Sequence, residues 1–504
     1  MLRAILAATA IVLGAAPAVP AVAAAAGTAI IIQDRVALRA APRDSARQQA
    51  VLWQGEMVEV RGERMDYLQV YDYQRERGGF VRANQVRRVR LTADEAAELL
   101  SILRFVRDTP GAEALGIGFA AAYIQAAPAE MLNGEAGTEA LDALGTIADR
   151  LARRASSSVS LSKAADATLS AHLDVAARYG VKFVNYERAG RMQICYDGDV
   201  HHRLLATRST AEQRARAVLA LTRDECVDPG LRVLERNRVD EWRAETLDRV
   251  DASVLPGYLK NRVLMRRASV WSALAYQRAR EWSAANSAAS GGEAAHAAAN
   301  RALTEMASVN KTDLTDDDTT VYNDAAMRTS ASRWAAAPVA AVNVNRANIV
   351  TAAGESGETC IALVDAKHDV KNPLAKRCTY GLVWASSATL NREGNALALA
   401  VQQTDTWREL WVFRKGSDGW TISVLPPAAT SPEVGYAEFA GWVPGGTQML
   451  VAREARGEGK YKRNFELLRL DTLVPMRQTG DPSALGAFQR WQDPAWKRNT
   501  LSLR

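Results

Sequence analysis

Five residues suited to metal binding or proton transfer crowd into one octet, Cys195-Tyr196-Asp197-Gly198-Asp199-Val200-His201-His202. Asp197 and Asp199 are candidates for a general acid and base, and with His201 and His202 they are candidate metal ligands. The spacing offers less than the composition. Zinc sites favour histidines one helical turn apart, and adjacent histidines point different ways on any regular backbone. The competing interpretation is an Asp-Gly-Asp turn that caps a helix beside a structural disulfide. No other local signature supplies a reaction: there is no HExxH, no Gly-x-Ser-x-Gly elbow, no phosphate-binding loop and no dinucleotide fingerprint. The acidic run Asp313-Leu-Thr-Asp316-Asp317-Asp318 lacks the alternating spacing and downstream Glu of a calcium loop, and reads as a helix cap or solvated turn. No metal and no cofactor is expected.

The elements around the octet follow from periodicity. Val181 to Tyr186 and Arg191 to Tyr196 alternate about Ala189-Gly190 as a hairpin, inside a run of helical patterns at 112–127, 135–155, 160–179, 210–223, 230–249 and 258–282. Thr92-Ala-Asp-Glu95 is a capping box that opens the first of the helices. The spacing therefore predicts a helical domain over 91–282 with one hairpin, then an Ala/Ser/Gly linker at 283–300 and a β-repeat domain over 301–504. The fold class is multidomain α+β.

With 504 residues, 48% of them hydrophobic, the chain has material for several cores. Its 63 basic and 57 acidic residues are interspersed, so the net charge of +6 implies no nucleic-acid surface. Residues 1–26 have the pattern of a signal peptide: Arg3, a short apolar stretch from Ala4 to Ala16, helix-breaking Pro17 and Pro20, and small residues near Ala26. No other segment reaches the length of a membrane span. Export to the periplasm or beyond would place Cys195, Cys226, Cys360 and Cys378 in oxidising surroundings. Four cysteines pair in three ways, and two local pairs are the simplest of these.

Short alternating strands recur every eight to twelve residues between 28 and 90, the cadence of a compact all-β barrel. The segment carries Val36-Ala-Leu38-Arg39-Ala-Ala-Pro42, Gly55-Glu56 before a hydrophobic strand, Tyr67-Leu-Gln-Val70, and Gly79-Phe80-Val81. In these elements it resembles the bacterial SH3-like (SH3b) domain, with Phe80 where that family has Trp and a lengthened hairpin at 71–78. The resemblance implies an adaptor that binds cell-wall peptide or glycan, or a protein partner. Tyr67, Tyr71, Tyr73 and Phe80 would form its aromatic platform.

The C-terminal third repeats a turn followed by an alternating strand, with turn ends at Asn348, Asn395, Thr447 and Asn499. Such units resemble blades of the β-propellers of exported proteins, although three blades and a terminal strand are too few to close a ring. The sequence favours a non-enzymatic envelope-binding or scaffold protein that engages peptidoglycan or an envelope protein. The alternative is an envelope glycan or peptide hydrolase with its site at 195–202.

Overall fold

A computed structural model describes residues 27–157, 162–188, 190–286, 292–338, 345–429 and 433–499. The signal-peptide pattern at 1–26 lies outside them. The chain forms two compact units: unit 1 runs to Val184 and includes Ile194–Asp197, while unit 2 holds Asn185–Gln193 and everything from Gly198 onward. Both helices and strands are abundant, in several separate sheets, which is the multidomain α+β class.

Unit 1 opens with seven strands: β1 (Gly27–Ile31), β2 (Val36–Arg39), β3 (Gln48–Leu52), β4 (Met57–Arg64), β5 (Tyr67–Asp72), β6 (Arg77–Arg82) and β7 (Val86–Val89). They pair in the order β3-β2-β6-β5-β4-β1-β7. β3 and β7 end the ladder without pairing to each other, so the sheet is open and the expected closed barrel is not formed. Alternation specifies which face is buried, here Ala29, Ile31, Leu38, Leu52, Leu68 and Val81. It does not specify whether the two edges of a sheet meet.

The helices of unit 1 are α1 (Ala96–Arg107), α2 (Glu113–Ala126), α3 (Ala129–Leu132), α4 (Glu135–Ser157) and α5 (Lys163–Arg178); next along the chain comes the hairpin β8 (Phe183–Arg188) and β9 (Arg191–Tyr196), whose central part, Asn185–Gln193, belongs to unit 2. Leu99, Leu103, Ile117 and Ile147 from the helices share one core with Ile30 and Val89 of the sheet. The compact unit therefore continues through residue 90 rather than ending there. Gly55 shows why the sheet and α2 lie so close. Its φ is +87°, and a Cβ added to Gly118 of α2 would come 2.6 Å from the Gly55 carbonyl oxygen. Glycines at both positions are what the approach demands. At the helix entry, Glu95 Oε2 accepts hydrogen bonds from the backbone N–H groups of Arg90 (2.7 Å) and Leu91 (3.0 Å).

Unit 2 begins with α6 (Asp199–Ala206), α7 (Ala211–Leu221), α8 (Val233–Asp248), α9 (Gly257–Asn286), α10 (Gly292–Ala307) and α11 (Asp316–Ser332). The residues read as linker at 292–300 lie on α10, whose Ala295, Ala298 and Ala299 are buried in the same core as Val270 and Leu274 of α9. An Ala-rich stretch is ambiguous between linker and helix interior, and here close packing settles it. The acidic run forms the start of α11, where Thr315 Oγ1 accepts from the backbone N–H of Asp318 and Asp318 pairs with Arg262 at 2.7 Å.

The strands of the C-terminal β region begin at 348, not 301: β10 (Asn348–Ala353), β11 (Thr359–Val364), β12 (Ala375–Thr379), β13 (Leu382–Leu390), β14 (Ala396–Thr404), β15 (Trp407–Gly416), β16 (Gly419–Leu425), β17 (Val434–Val443), β18 (Gln448–Gly457), β19 (Lys460–Arg469) and β20 (Pro475–Thr479). β10, β11 and β12 form one sheet. Two antiparallel meanders, β13 to β16 and β17 to β20, form another, joined by a short parallel pairing of β15 with β17. Three of the repeated turns precede or begin β10, β14 and β18, the equivalent strands of the repeat. The fourth, Lys497 to Asn499, lies instead at the end of α13 (Pro494–Asn499), which follows α12 (Gly486–Trp491). Residues beyond 499 are outside the described set.

Buried arginines bind helices to sheet in unit 2. Arg408 of β15 donates from Nη1 to the Ser330 carbonyl of α11 at 2.7 Å, and Arg333 Nε donates to Glu438 Oε1 of β17 at 2.8 Å. Burial lowers the Arg408 guanidinium to about 10 despite the Glu438 carboxylate nearby.

Candidate functional site

In unit 1 the expected aromatic platform divides. Tyr67 is buried, and its Oη donates to Asp44 Oδ1 at 2.6 Å. Phe80 is half-buried in β6, opposite Gln69 and Arg39. Only Tyr71 and Tyr73 meet, edge to face with ring centroids 4.9 Å apart, and Arg61 lies 3.9 Å above the Tyr71 ring. Glu59 completes this surface group by accepting from Arg61 Nε at 2.7 Å and from Tyr73 Oη at 3.1 Å.

The octet is split by the fold: Asp197 closes a segment of unit 1, while Asp199, His201 and His202 open α6 in unit 2. Gly198 makes the turn with φ +84°. Asp199 is exposed in the first turn of α6 and pairs with Arg203 at 2.9 Å. His201 is buried, whereas His202 is exposed with its ring 6.1 Å from that of Trp242. The two histidines thus face apart, as adjacent helical residues must. All four cysteines are disulfide-bonded. Cys360 and Cys378 face each other across β11 and β12 and are joined to one another. Glu358 lies beside that bridge, but sulfurs in a disulfide are not thiolate metal ligands.

A cleft of about 670 Å³ lies elsewhere in unit 2. Its volume falls within the roughly 300–1,000 Å³ of small-molecule sites. One wall is the start of α8 and the C-terminal half of α9, with Asn237, Tyr276 and Glu281. The other is the β10–β11 turn with Glu355 and Glu358, and the β12–β13 turn with Tyr380. The Cys360–Cys378 bridge pins the strands that carry this second wall. Asp405, in the two-residue turn between β14 and β15, completes the lining.

Beside the cleft lies a charged cluster centred on Asp224. Its carboxylate meets Arg236 at 3.0 Å, Arg328 at 3.1 Å, Arg188 at 3.4 Å and Arg243 at 3.6 Å. Burial by itself would raise this carboxyl, but Arg328, Arg243, Arg236 and Arg188 outweigh it and hold it far below the usual carboxylate range. Asp240 adds a second anchor, pairing with Arg243 at 2.6 Å and Arg236 at 3.0 Å and accepting from Gln277 Nε2 at 2.7 Å. Arg236 belongs both to this cluster and to the cleft. Asp405 behaves oppositely to Asp224. Burial pushes its carboxyl up, and the pull of Arg328 and Arg236 does not compensate.

Sequence reasoning missed Asp405, Asp224 and the cleft, because its walls come from segments scattered between Leu231 and Asp405 and carry no local signature. An Asp in a two-residue turn between strands looks like ordinary turn chemistry. No protein-family model and no curated protein matches the chain. Among solved structures it is similar to the N-terminal part of the bacterial S-layer protein SbsC, at 12% identity over 76% of this chain and 98% of that one. The TM-score of 0.16 is too low for this likeness to carry an argument.

Proposed function

We propose that the chain is an exported cell-envelope binding or scaffold protein that holds a wall peptide, a glycan or a protein partner in the unit 2 cleft. The observation that carries this reading is the cleft itself, a preformed concavity with tyrosines, amides and carboxylates on walls fixed by helices and a disulfide. Disulfide bonding of all four cysteines fits an extracytoplasmic protein, and no helix among the described residues is long and apolar enough to cross a membrane. Unit 1 contributes an SH3-like sheet as a second contact, through exposed Tyr73 and its neighbours Tyr71 and Phe80. The meanders of unit 2 serve as propeller-type blades, a rigid support for the cleft. Incubation of the purified mature protein with isolated peptidoglycan sacculi tests the reading. Co-sedimentation without release of soluble fragments is expected, release of fragments would favour a hydrolase, and failure to sediment would exclude a wall ligand.

A further inference from the structure

We infer that the unit 2 cleft takes a peptide segment bearing a primary ammonium group, with Asp405 as the carboxylate that anchors it. This rests on the cleft being the ligand site and adds the chemistry of what enters. The lining carries more carboxylates than guanidinium groups. Glu281, Glu355, Glu358 and Asp405 all line it, and among the described residues none of them forms an ion pair. Two arginines line the cleft, Arg280 and Arg236, the second of them shared with Asp224 and Asp240, so two guanidinium groups face four carboxylates in the lining. Two amide oxygens in the wall, Asn237 Oδ1 and Gln277 Oε1, are shielded from water and accept from no described donor. The site is thus negative within a chain of net charge +6. A ligand that brings N–H donors and positive charge satisfies it, whereas a phosphate or carboxylate ligand would be repelled.

The carboxylates are also dispersed. Glu281 is on α9, Glu355 and Glu358 are in the β10–β11 turn, and Asp405 is in the β14–β15 turn. Among the described residues no three of them come close enough to share a metal ion. An extended ligand meets separated acceptors better than a single ion does. Tyr276 and Tyr380 provide surfaces for its aliphatic portion, and Tyr276 is fixed by donating its Oη to the Gln403 carbonyl at 3.1 Å, two residues from Asp405. Asp405 is the anchor because the two-residue β14–β15 turn and the Tyr276 bond beside it hold it in place at the lining, where burial raises its carboxyl and an ammonium partner would relieve that penalty.

Calorimetric titration of the full mature chain with the tripeptide amide Ala-Lys-Ala, and with the same peptide acetylated on both amines, tests this directly. The free peptide should bind, and acetylation should weaken binding at least tenfold. Asp405→Asn should weaken it at least tenfold without lowering the melting temperature, and Glu281→Gln, on the opposite wall, about threefold. Equal binding of the acetylated peptide, an unaffected Asp405→Asn variant, or binding of neither peptide would overturn the inference. Sacculi with their free amines acetylated separate the two conclusions. Equal sedimentation with native and acetylated sacculi would defeat the ammonium inference and leave the envelope reading standing. Peptide binding without any sedimentation would do the reverse.

Discussion

Glu56 of unit 1 and Asp405 of unit 2 are both acidic residues in turns that lead into a strand, and their surroundings could hardly differ more. Glu56 is nearly inaccessible and fully engaged: it meets Arg75 at 2.9 Å and Arg178 at 2.5 Å, and accepts from the backbone N–H of Trp53 at 3.2 Å. Close by, His172 Nε2 lies 2.8 Å from Asp34 Oδ1 and 3.1 Å from Gln54 Nε2. Those contacts fasten α5 to the turns of the sheet, and every strong charge there has its opposite. Asp405 lines a cleft and, among the described residues, has no ion-pair partner. The difference distinguishes polar groups that hold a fold together from polar groups whose partner comes from outside.

That contrast can be broken most severely at Gly55. Replacement by Val would force a side chain into a left-handed backbone and into the α2 carbonyl of Ala114. Unit 1 should lose roughly 3 kcal/mol or more, read as an early separate transition in denaturant unfolding while unit 2 melts as before. Paired replacement of Cys360 and Cys378 by Ser should cost unit 2 about 3 kcal/mol, from release of an 18-residue loop. The melting of unit 1 should not change, and the peptide affinity of the cleft should fall as its wall loosens.

Asp224→Asn sharpens the comparison in the charged cluster. The depressed carboxyl stabilises the folded state fully above the ordinary value of about 3.9, and that contribution is lost as pH falls toward the folded-state value. The variant should be about 2 kcal/mol less stable at neutral pH, and its acid denaturation below pH 4 should be shallower than that of the parent. Asp405 has the opposite sign: its carboxyl is raised, so it favours folding at low pH and opposes it as pH rises. Removing that carboxyl should therefore raise the neutral-pH melting temperature of the unliganded protein slightly. The smallest effect belongs to His202→Ala, which removes an exposed ring beside Trp242 and should change stability by less than about 0.5 kcal/mol.

Much of the local architecture was legible. The helical patterns at 112–127 and 230–249 coincide with α2 and α8 within three residues, and the hairpin around Gly190 is present, because periodicity reports which residues of an element are buried. What it does not report is which elements share a core. Leu99 is read equally well as part of a separate helical bundle or as part of a core shared with the sheet, and it shares its core with Ile30. The same limit hid the cleft. His201, His202 and Asp199 attracted attention by being adjacent in sequence, whereas Glu281, Glu355 and Asp405 meet only when α9 and two turns are folded together.

The meanders of unit 2 have a consequence for how the chain finds its structure. In β13 to β16 and β17 to β20, each strand pairs with the next along the chain across turns of two to five residues, so most contacts close small loops. Such pairings form early and at little entropic cost. The bonds from Arg408 to Ser330 and from Arg333 to Glu438 instead span 78 and 105 residues, and their burial requires sheet and helix to arrive already shaped. Refolding should therefore proceed by rapid appearance of strand signal followed by a slower docking step, in which these two arginines lose their water together.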